Sequence, residues 1–267
     1  VFEILIEYSL KVISNEIHLH YTCSLWFFTL SWKALAVIKG KTVIQRVYEK
    51  ASSVLEDVYV ATDDERIFKE VESFGGKVIM TRSDHESGTD RIEEAVSKIS
   101  VPCDVVINIQ GDEPFIDPSQ IQTLCNSFND EQTQIATLGK PFTTTKDVLN
   151  PNSPKIVMDN NNYALYFSRN MIPFIKGVEV NKLGEDTNIT DTFPYLKHIG
   201  IYAYRRSVLS EITRLEPSSL EKTEGLEQLR WLQNGYKIKV GLTNIETIGI
   251  DTPEDLTKAT LFLEQSL

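Results

Sequence analysis

No glycine precedes Gly40 and no proline precedes Pro102. A loop that cradles phosphate with its backbone amides uses glycine where the chain approaches the anion, and this opening supplies none. Cysteine is scarce too: Cys23, Cys103 and Cys125 stand apart, without CxxC spacing. That pattern excludes a disulfide framework and reads as reduced thiols in an intracellular compartment. Positive charge is short, with 27 Lys and Arg against 38 Asp and Glu and a formal net charge of −11. The balance argues against a nucleic-acid binder. It also means that an anionic substrate needs local basic residues or a metal ion. The apolar stretch from Cys23 to Trp32 is about half of what a bilayer span requires. It comes after Glu3, Glu7 and Glu16, and no small-residue cleavage site succeeds it as in a signal peptide. A cytoplasmic protein without a membrane segment is the expectation. No GxGxxG follows any predicted strand, which disfavours a nicotinamide-dependent dehydrogenase.

The composition is otherwise that of an ordinary globular protein, 267 residues with 41% hydrophobic and 24% charged, enough for one large domain or two small ones. From about Leu35 strand and helix signals alternate. VYVATD (58–63), KVIMTR (77–82) and DVVINIQ (104–110) read as strands. ERIFKEVESFGG (65–76) and DRIEEAVSKI (90–99) read as helices, the first closed by glycine as helix ends prefer. DPSQIQTLCNSF (117–128) begins with Asp117 as cap and Pro118 at the first helical position. Such β-α units imply a parallel sheet with helices on both faces. KIVMDNNNYALYFSR (155–169) predicts a β-hairpin around an Asn-rich turn, and HIGIYAYR (198–205) another strand. SSLEKTEGLEQLRWLQNG (218–235) predicts one helix with Ser219 as cap and Gly235 as stop, KIKVGL (237–242) a strand, and Pro253 the start of a closing helix. The division is residues 1–34 as an atypical segment and 35–267 as a single domain, with about 155–205 inserted.

Two acidic positions stand out. In INIQGDEPFI (107–116) a buried strand runs into Gly111 and Asp112, and ligands of open α/β sheets sit at carboxyl ends of strands. Asp112 there is either a Mg²⁺ ligand or the cap of the next turn. In TIGIDTPEDL (247–256), Thr252 through Asp255 make a good helix start. They leave Asp251 as a second candidate ligand or a solvated turn residue. Two carboxylates from distant strand ends suit metal-assisted phosphoryl chemistry. TRSDHESGTDR (81–91) is a polar loop with Arg82 and Arg91 bracketing Gly88. Arginine forks suit phosphate and carboxylate; a solvated loop with Thr89 as helix cap reads equally well. Arg169, His198, Tyr202, Glu227 and Gln228 are polar positions on otherwise apolar elements. His198 reads alone as a structural histidine, and Glu227 and Gln228 as mid-helix residues facing water.

Taken together, SDHESGTDR, NIQGDEPFI, NYALYFSRNMIPF, KHIGIYAYR, EGLEQLRWLQNGYKI and GIDTPEDL, in this order, resemble the 3-deoxy-manno-octulosonate (KDO) cytidylyltransferases, or CMP-KDO synthetases. The resemblance covers Ala34 to the C-terminus. It implies a GT-A-like nucleotidyltransferase fold, a Rossmann-related mixed sheet with helices on both faces and an inserted β-hairpin region, and a homodimer. The implied reaction joins CTP and KDO to give CMP-KDO and diphosphate for lipopolysaccharide biosynthesis. The resemblance further implies that Asp112 and Asp251 are the catalytic carboxylates holding Mg²⁺. By it, Arg91, Gln110, Arg169, His198, Tyr202, Glu227 and Gln228 line the sugar-acid pocket, and Arg82, Asp84, Ser87 and Gly88 meet the nucleotide. Asp90 stands where the family commonly has Glu, which leaves a sialic acid or an amino analogue of KDO as alternative sugars. A remnant that binds sugar acid without turnover is the non-enzymatic alternative.

The family's opening strand leads into a loop of the type IPARYxSxRxPGKPL, which holds the triphosphate. Here the sequence joins on only at LAVIKGKTVIQRVYEKA (35–51). Reading from the second base of the Tyr21 codon tests why. Trp26 and Trp32 are encoded by TGG and precede Phe27 and Lys33, so each shifted junction must read glycine. With permitted synonymous codons the stretch through Lys33 reads I-P-A-R-Y-G-S-S-R-F-P-G-K, the family's loop. Residues up to about Ala34 are therefore expected to be a frame-shifted reading. The alternative is a genuine divergent amphipathic segment. Either way CTP turnover is expected to be impaired.

Overall fold

The structure is a computed structural model that describes residues 3–13, 16–20, 31–99, 103–111, 113–178, 188–246, 249–250, 255–257 and 259–261, the first of these up to residue 32 by backbone alone. The chain forms two compact units. One comprises Val1–Asn126, Gly200–Arg214 and Glu246–Leu267, and the other Ser127–Ile199 and Leu215–Ile245. No helix among the described residues is long and apolar enough to cross a membrane.

In chain order the first unit opens with β1 (Glu3–Ile13), β2 (Glu16–His20), α1 (Ser31–Leu35), β3 (Val37–Ile38), β4 (Lys41–Thr42) and α2 (Val43–Ser52). It continues through β5 (Val58–Thr62), α3 (Glu65–Ser73), β6 (Lys77–Met80), α4 (Gly88–Lys98), β7 (Val105–Gln110) and α5 (Pro118–Ser127). Then come β8 (Ile135–Pro141), α6 (Thr145–Leu149), β9 (Lys155–Met158), β10 (Ala164–Ser168), β11 (Leu196–Arg205) and α7 (Arg206–Ile212). The last elements are α8 (Ser219–Glu224), α9 (Gln228–Gln233) and β12 (Ile238–Leu242).

In the first unit β5 and β6 pair in parallel, as the β-α alternation predicts. β7 is the core strand. Val105, Val106, Ile107 and Ile109 are fully buried, the near-continuous apolar run of a strand covered on both faces. The strand between β5 and β7 departs from the expected parallel sheet. β1 pairs antiparallel with β5, Ile4 opposite Val60, and antiparallel with β7, Ile4 opposite Ile109. β5 and β7 thus point one way and β1 the other. The hairpin from β1 into β2 lies at the amino ends of its neighbours. β2 runs back along β1 in the direction of β5 and β7, with His20 opposite Ser9.

Helix starts follow capping chemistry closely. Asp117 accepts from Ser119 N at 2.8 Å with Pro118 first in α5, as predicted. The cap of α4 is Ser87, which accepts from Asp90 N at 3.1 Å. The expected cap, Thr89, sits inside the first turn, because Ser87 already supplies the oxygen that the orphan amide needs.

In the second unit β9 and β10 form the predicted hairpin, with Ser168 opposite Lys155. Asp159 closes its turn by accepting from Asn161 N and Tyr163 N, both at 2.8 Å, while Asn162 takes φ 61°. β8 and β12 pair in parallel. The helix predicted over 218–235 is broken into α8 and α9. Gly225 adopts φ 63° and ψ 43°, the left-handed geometry that ends a helix. The α8 cap is Ser218 rather than Ser219, in a reciprocal capping box with Glu221. Residues 255–257 and 259–261 are helical and fall in the expected closing helix, whose start at Pro253 lies outside the described residues.

Candidate functional site

The polar loop 81–91 and α4 belong to the first unit. Arg91 is 1% exposed and points inward. Its Nη1 donates to Thr81 Oγ1 at 2.6 Å and to the Arg82 carbonyl at 3.1 Å, and its Nη2 to Asp63 Oδ2 at 3.0 Å. The side chain ties the segments leaving β5 and β6. Arg82 and Asp84 are exposed and help line a cavity of about 510 Å³, with His85, Glu86, Asp90, Glu93, Glu94 and Thr213. Arg82 Nε lies 3.3 Å from Glu94 and 3.5 Å from Asp84. Burial alone would raise the Glu94 carboxyl, but hydrogen bonds from Lys98 and His85 hold it down at about 2. With five carboxylates on its walls, the cavity suits hydroxyl and amino donors better than bare phosphate. Ser87 is engaged as the cap, and Gly88 is buried in the first turn of α4.

Gln110 ends β7. A Cβ placed on Gly200 would lie 3.3 Å from Gln110 Nε2, so the absence of a side chain at Gly200 lets the amide lie across β11. Tyr202 stands two residues further along β11, hence on the same face as Gly200. It is 8% exposed, with its ring stacked 6.0 Å from that of Tyr204. Asp112 and Asp251 lie outside the described residues. Their neighbours are placed: Glu113 N returns to the Gln110 carbonyl at 3.3 Å, and buried Ile250 packs with Ile38, Val43 and Ala259. Two carboxylates present hard oxygen donors only, a set that fits Mg²⁺. The described residues contain no cluster of three or more potential metal ligands.

Arg169, His198, Glu227 and Gln228 belong to the second unit. Arg169 follows β10, and its side chain donates to three backbone carbonyls. Nε reaches Glu224 O at 2.7 Å, Nη1 Pro151 O at 3.2 Å and Nη2 Gly225 O at 3.2 Å. His198 on β11 lies edge-on to Phe167, with centroids 5.2 Å apart, and its Nε2 is 3.0 Å from Thr137 Oγ1. Burial of the ring pushes its pKa down to about 3, so the imidazole is neutral at physiological pH. Glu227 and Gln228 are at the start of α9, not in mid-helix as the unbroken pattern suggested. Gln228 is 4% exposed, and its Nε2 has no partner among the described residues. A buried amide without a partner is costly, and a ligand carbonyl or hydroxyl would satisfy it. The structure adds Thr137, Lys155 and Glu224 to this group, three residues not singled out in the sequence. Only Lys155, a lone cation opening an apolar strand, carried a sequence signal.

The arrangement is that of a GT-A-like nucleotidyltransferase. It superposes with a TM-score of 0.80 on a solved CMP:2-keto-3-deoxy-manno-octonic acid synthetase complexed with CTP, at 40% identity over 90% of this chain and 95% of that one. A family model described as cytidylyltransferase matches residues 30–238, and the chain belongs to this family. The 3-deoxy-manno-octulosonate cytidylyltransferase of Bacteroides thetaiotaomicron is 58% identical over 235 residues, spanning 87% of this chain and 92% of the relative. That of Parabacteroides distasonis is 57% identical over 235 residues, spanning 86% and 91%. The resemblance drawn from the ordered motifs is borne out.

Proposed function

We propose that this fold is built to transfer CMP from CTP to 3-deoxy-manno-octulosonate with release of diphosphate, and that its opening segment impairs the reaction. Identity of 58% to a curated relative of that name carries the first part. The anomeric hydroxyl of the sugar acid attacks the α-phosphorus in line, and catalysis rests on positioning and charge neutralisation. Arg169 and Gln228 recognise the acid and hydroxyl groups, neutral His198 supports Phe167, and Gln110 and Tyr202 offer polar groups on one face of the first unit. Arg91 acts from beneath, by fixing the loop that carries Arg82 and Asp84. Asp112 and Asp251 would hold Mg²⁺, which when bound neutralises triphosphate charge.

The composition of the opening segment supports the second part. It has no glycine before Gly40, the residue that a phosphate-cradling loop uses where its backbone approaches the anion. The shifted reading of residues up to about Ala34, in which the junctions after Trp26 and Trp32 read glycine, explains that absence. We also propose a cytoplasmic homodimer. Leu165 and Phe174, 62% and 74% exposed on the second unit, offer apolar surface for a subunit contact.

Diphosphate release from CTP, KDO and Mg²⁺ tests both parts, using this chain and a version carrying the shifted reading through Lys33. Weak release by the first and ready release by the second is the expected result. Normal turnover by the chain as written rejects the impairment, and an inactive restored chain rejects the assignment. Competition by sialic acid or an amino-KDO in the restored chain identifies the sugar.

A further inference from the structure

Lys155 opens β9 with no measurable exposure. Its Nζ donates to the carbonyls of Asn150 and Arg169, each at 2.8 Å. Burial lowers its pKa, and the charge of Arg169 adds to the decrease, while Glu224 opposes both. A lysine kept this deep is held by its surroundings. Glu224, the last residue of α8, meets the same corner from the other side. Its Oε1 accepts from Ser168 Oγ at 2.7 Å and its Oε2 from Arg169 N at 2.9 Å.

Arg169 joins the two. Its backbone carbonyl accepts from Lys155, its backbone amide donates to Glu224, and its guanidinium covers the carbonyls of Glu224 and Gly225. Those carbonyls are orphans of the α8 terminus, where a cation is favoured. Immediately after them the chain turns through left-handed Gly225 and enters α9 at Glu227 and Gln228. Three of the five guanidinium N–H groups are thereby used. One on each Nη remains for a ligand carboxylate.

We infer that Lys155 and Glu224 form a buried clamp on Arg169 that fixes the turn between α8 and α9, and so positions Arg169 and Gln228 for the sugar acid. Lys155 and Glu224 are positioning residues, not groups that touch substrate. The role in sugar-acid binding rests on the function proposed above; the clamp on the turn does not.

The test uses the full chain with Lys155→Met and Glu224→Gln, and Val148→Ala as a control. Val148 is a fully buried residue of a separate apolar cluster with Phe142, Ile189 and Tyr195. Hydrogen exchange over residues 225–229 reads the clamp directly, and calorimetric titration with KDO reads its effect on binding. Both clamp variants should exchange faster there than Val148→Ala at matched global stability. Their KDO affinity should fall by about tenfold or more, since small misplacements of binding groups carry large costs. Val148→Ala should keep its affinity. Unchanged exchange over 225–229 overturns the clamp, as does an equal affinity loss in Val148→Ala. If the unaltered chain binds no KDO while exchange responds as expected, the clamp stands and the sugar-acid assignment fails.

Discussion

The imidazole of His198 and the hydroxyl of Thr137 meet at 3.0 Å, and that hydroxyl also donates to the Ile199 carbonyl at 3.2 Å. A hydroxyl has one proton to give, so with Ile199 as its acceptor it receives the Nε2 proton of His198. Burial pushes the folded pKa down to about 3 from 6.5. As pH falls through 6.5 the unfolded chain takes up a proton that the folded chain refuses. The contribution is therefore complete above that value and lost toward pH 3, at about 1.4 kcal/mol per pH unit. Urea unfolding at pH 7 and pH 5 should show His198→Gln with a shallower loss than the parent. Identical slopes would mean that the ring titrates normally.

Glu94 tests the same sign in a lower window. Its folded pKa is about 2 against 4.5, so its contribution is present above 4.5 and disappears as pH falls toward 2. The carboxylate meets Lys98 at 2.6 Å and also His85. Its side chain is 13% exposed while that of Lys98 is 46% exposed, so solvent screens part of the gain. Glu94→Gln should cost about 1–2 kcal/mol at pH 7 and flatten the acid limb of the stability curve below pH 4.5. Chemical denaturation across that range measures both.

Gly225 carries a backbone prediction. Its φ of 63° costs a residue with a Cβ about 1 kcal/mol. The space itself is adequate, the nearest atom to such a Cβ being Arg169 Nη2 at 3.8 Å. Gly225→Ala should therefore lower stability by about 1 kcal/mol, and Gly225→Asn by less, because asparagine tolerates this region. Equal losses would point to crowding, which the distances do not support.

Where local chemistry decides structure, the sequence was readable: Asp117 before Pro118, the Asn-rich turn at Asp159–Asn162, the left-handed stop at Gly235. It failed at Gly225 because a glycine at helical spacing can continue a helix or end it, and tertiary hydrogen bonds from Arg169 favour ending it. Strand polarity in β1 was not legible, since an apolar alternation fits a slot between two strands in either direction. The motif order identified the cytidylyltransferase family. It could not separate groups that face a ligand from those that hold the scaffold, and Arg91 and Lys155 became distinguishable only through their buried partners.

Arg91 tests that separation. The resemblance places it against the sugar acid, whereas its guanidinium is buried on Thr81, the Arg82 carbonyl and Asp63. Removing one member of a buried charge pair leaves the other unsatisfied, typically at a cost of about 3–5 kcal/mol. Asp63 is 21% exposed in its side chain, which puts Arg91→Met at the lower end, about 3 kcal/mol. Arg91→Lys should recover part of this, since one ammonium can reach Asp63 without reproducing the fork to Thr81 and Arg82. A ligand-facing arginine behaves differently: its loss weakens sugar binding and leaves denaturant stability nearly unchanged. Urea midpoints for the two variants, set beside their KDO affinities, decide which description holds.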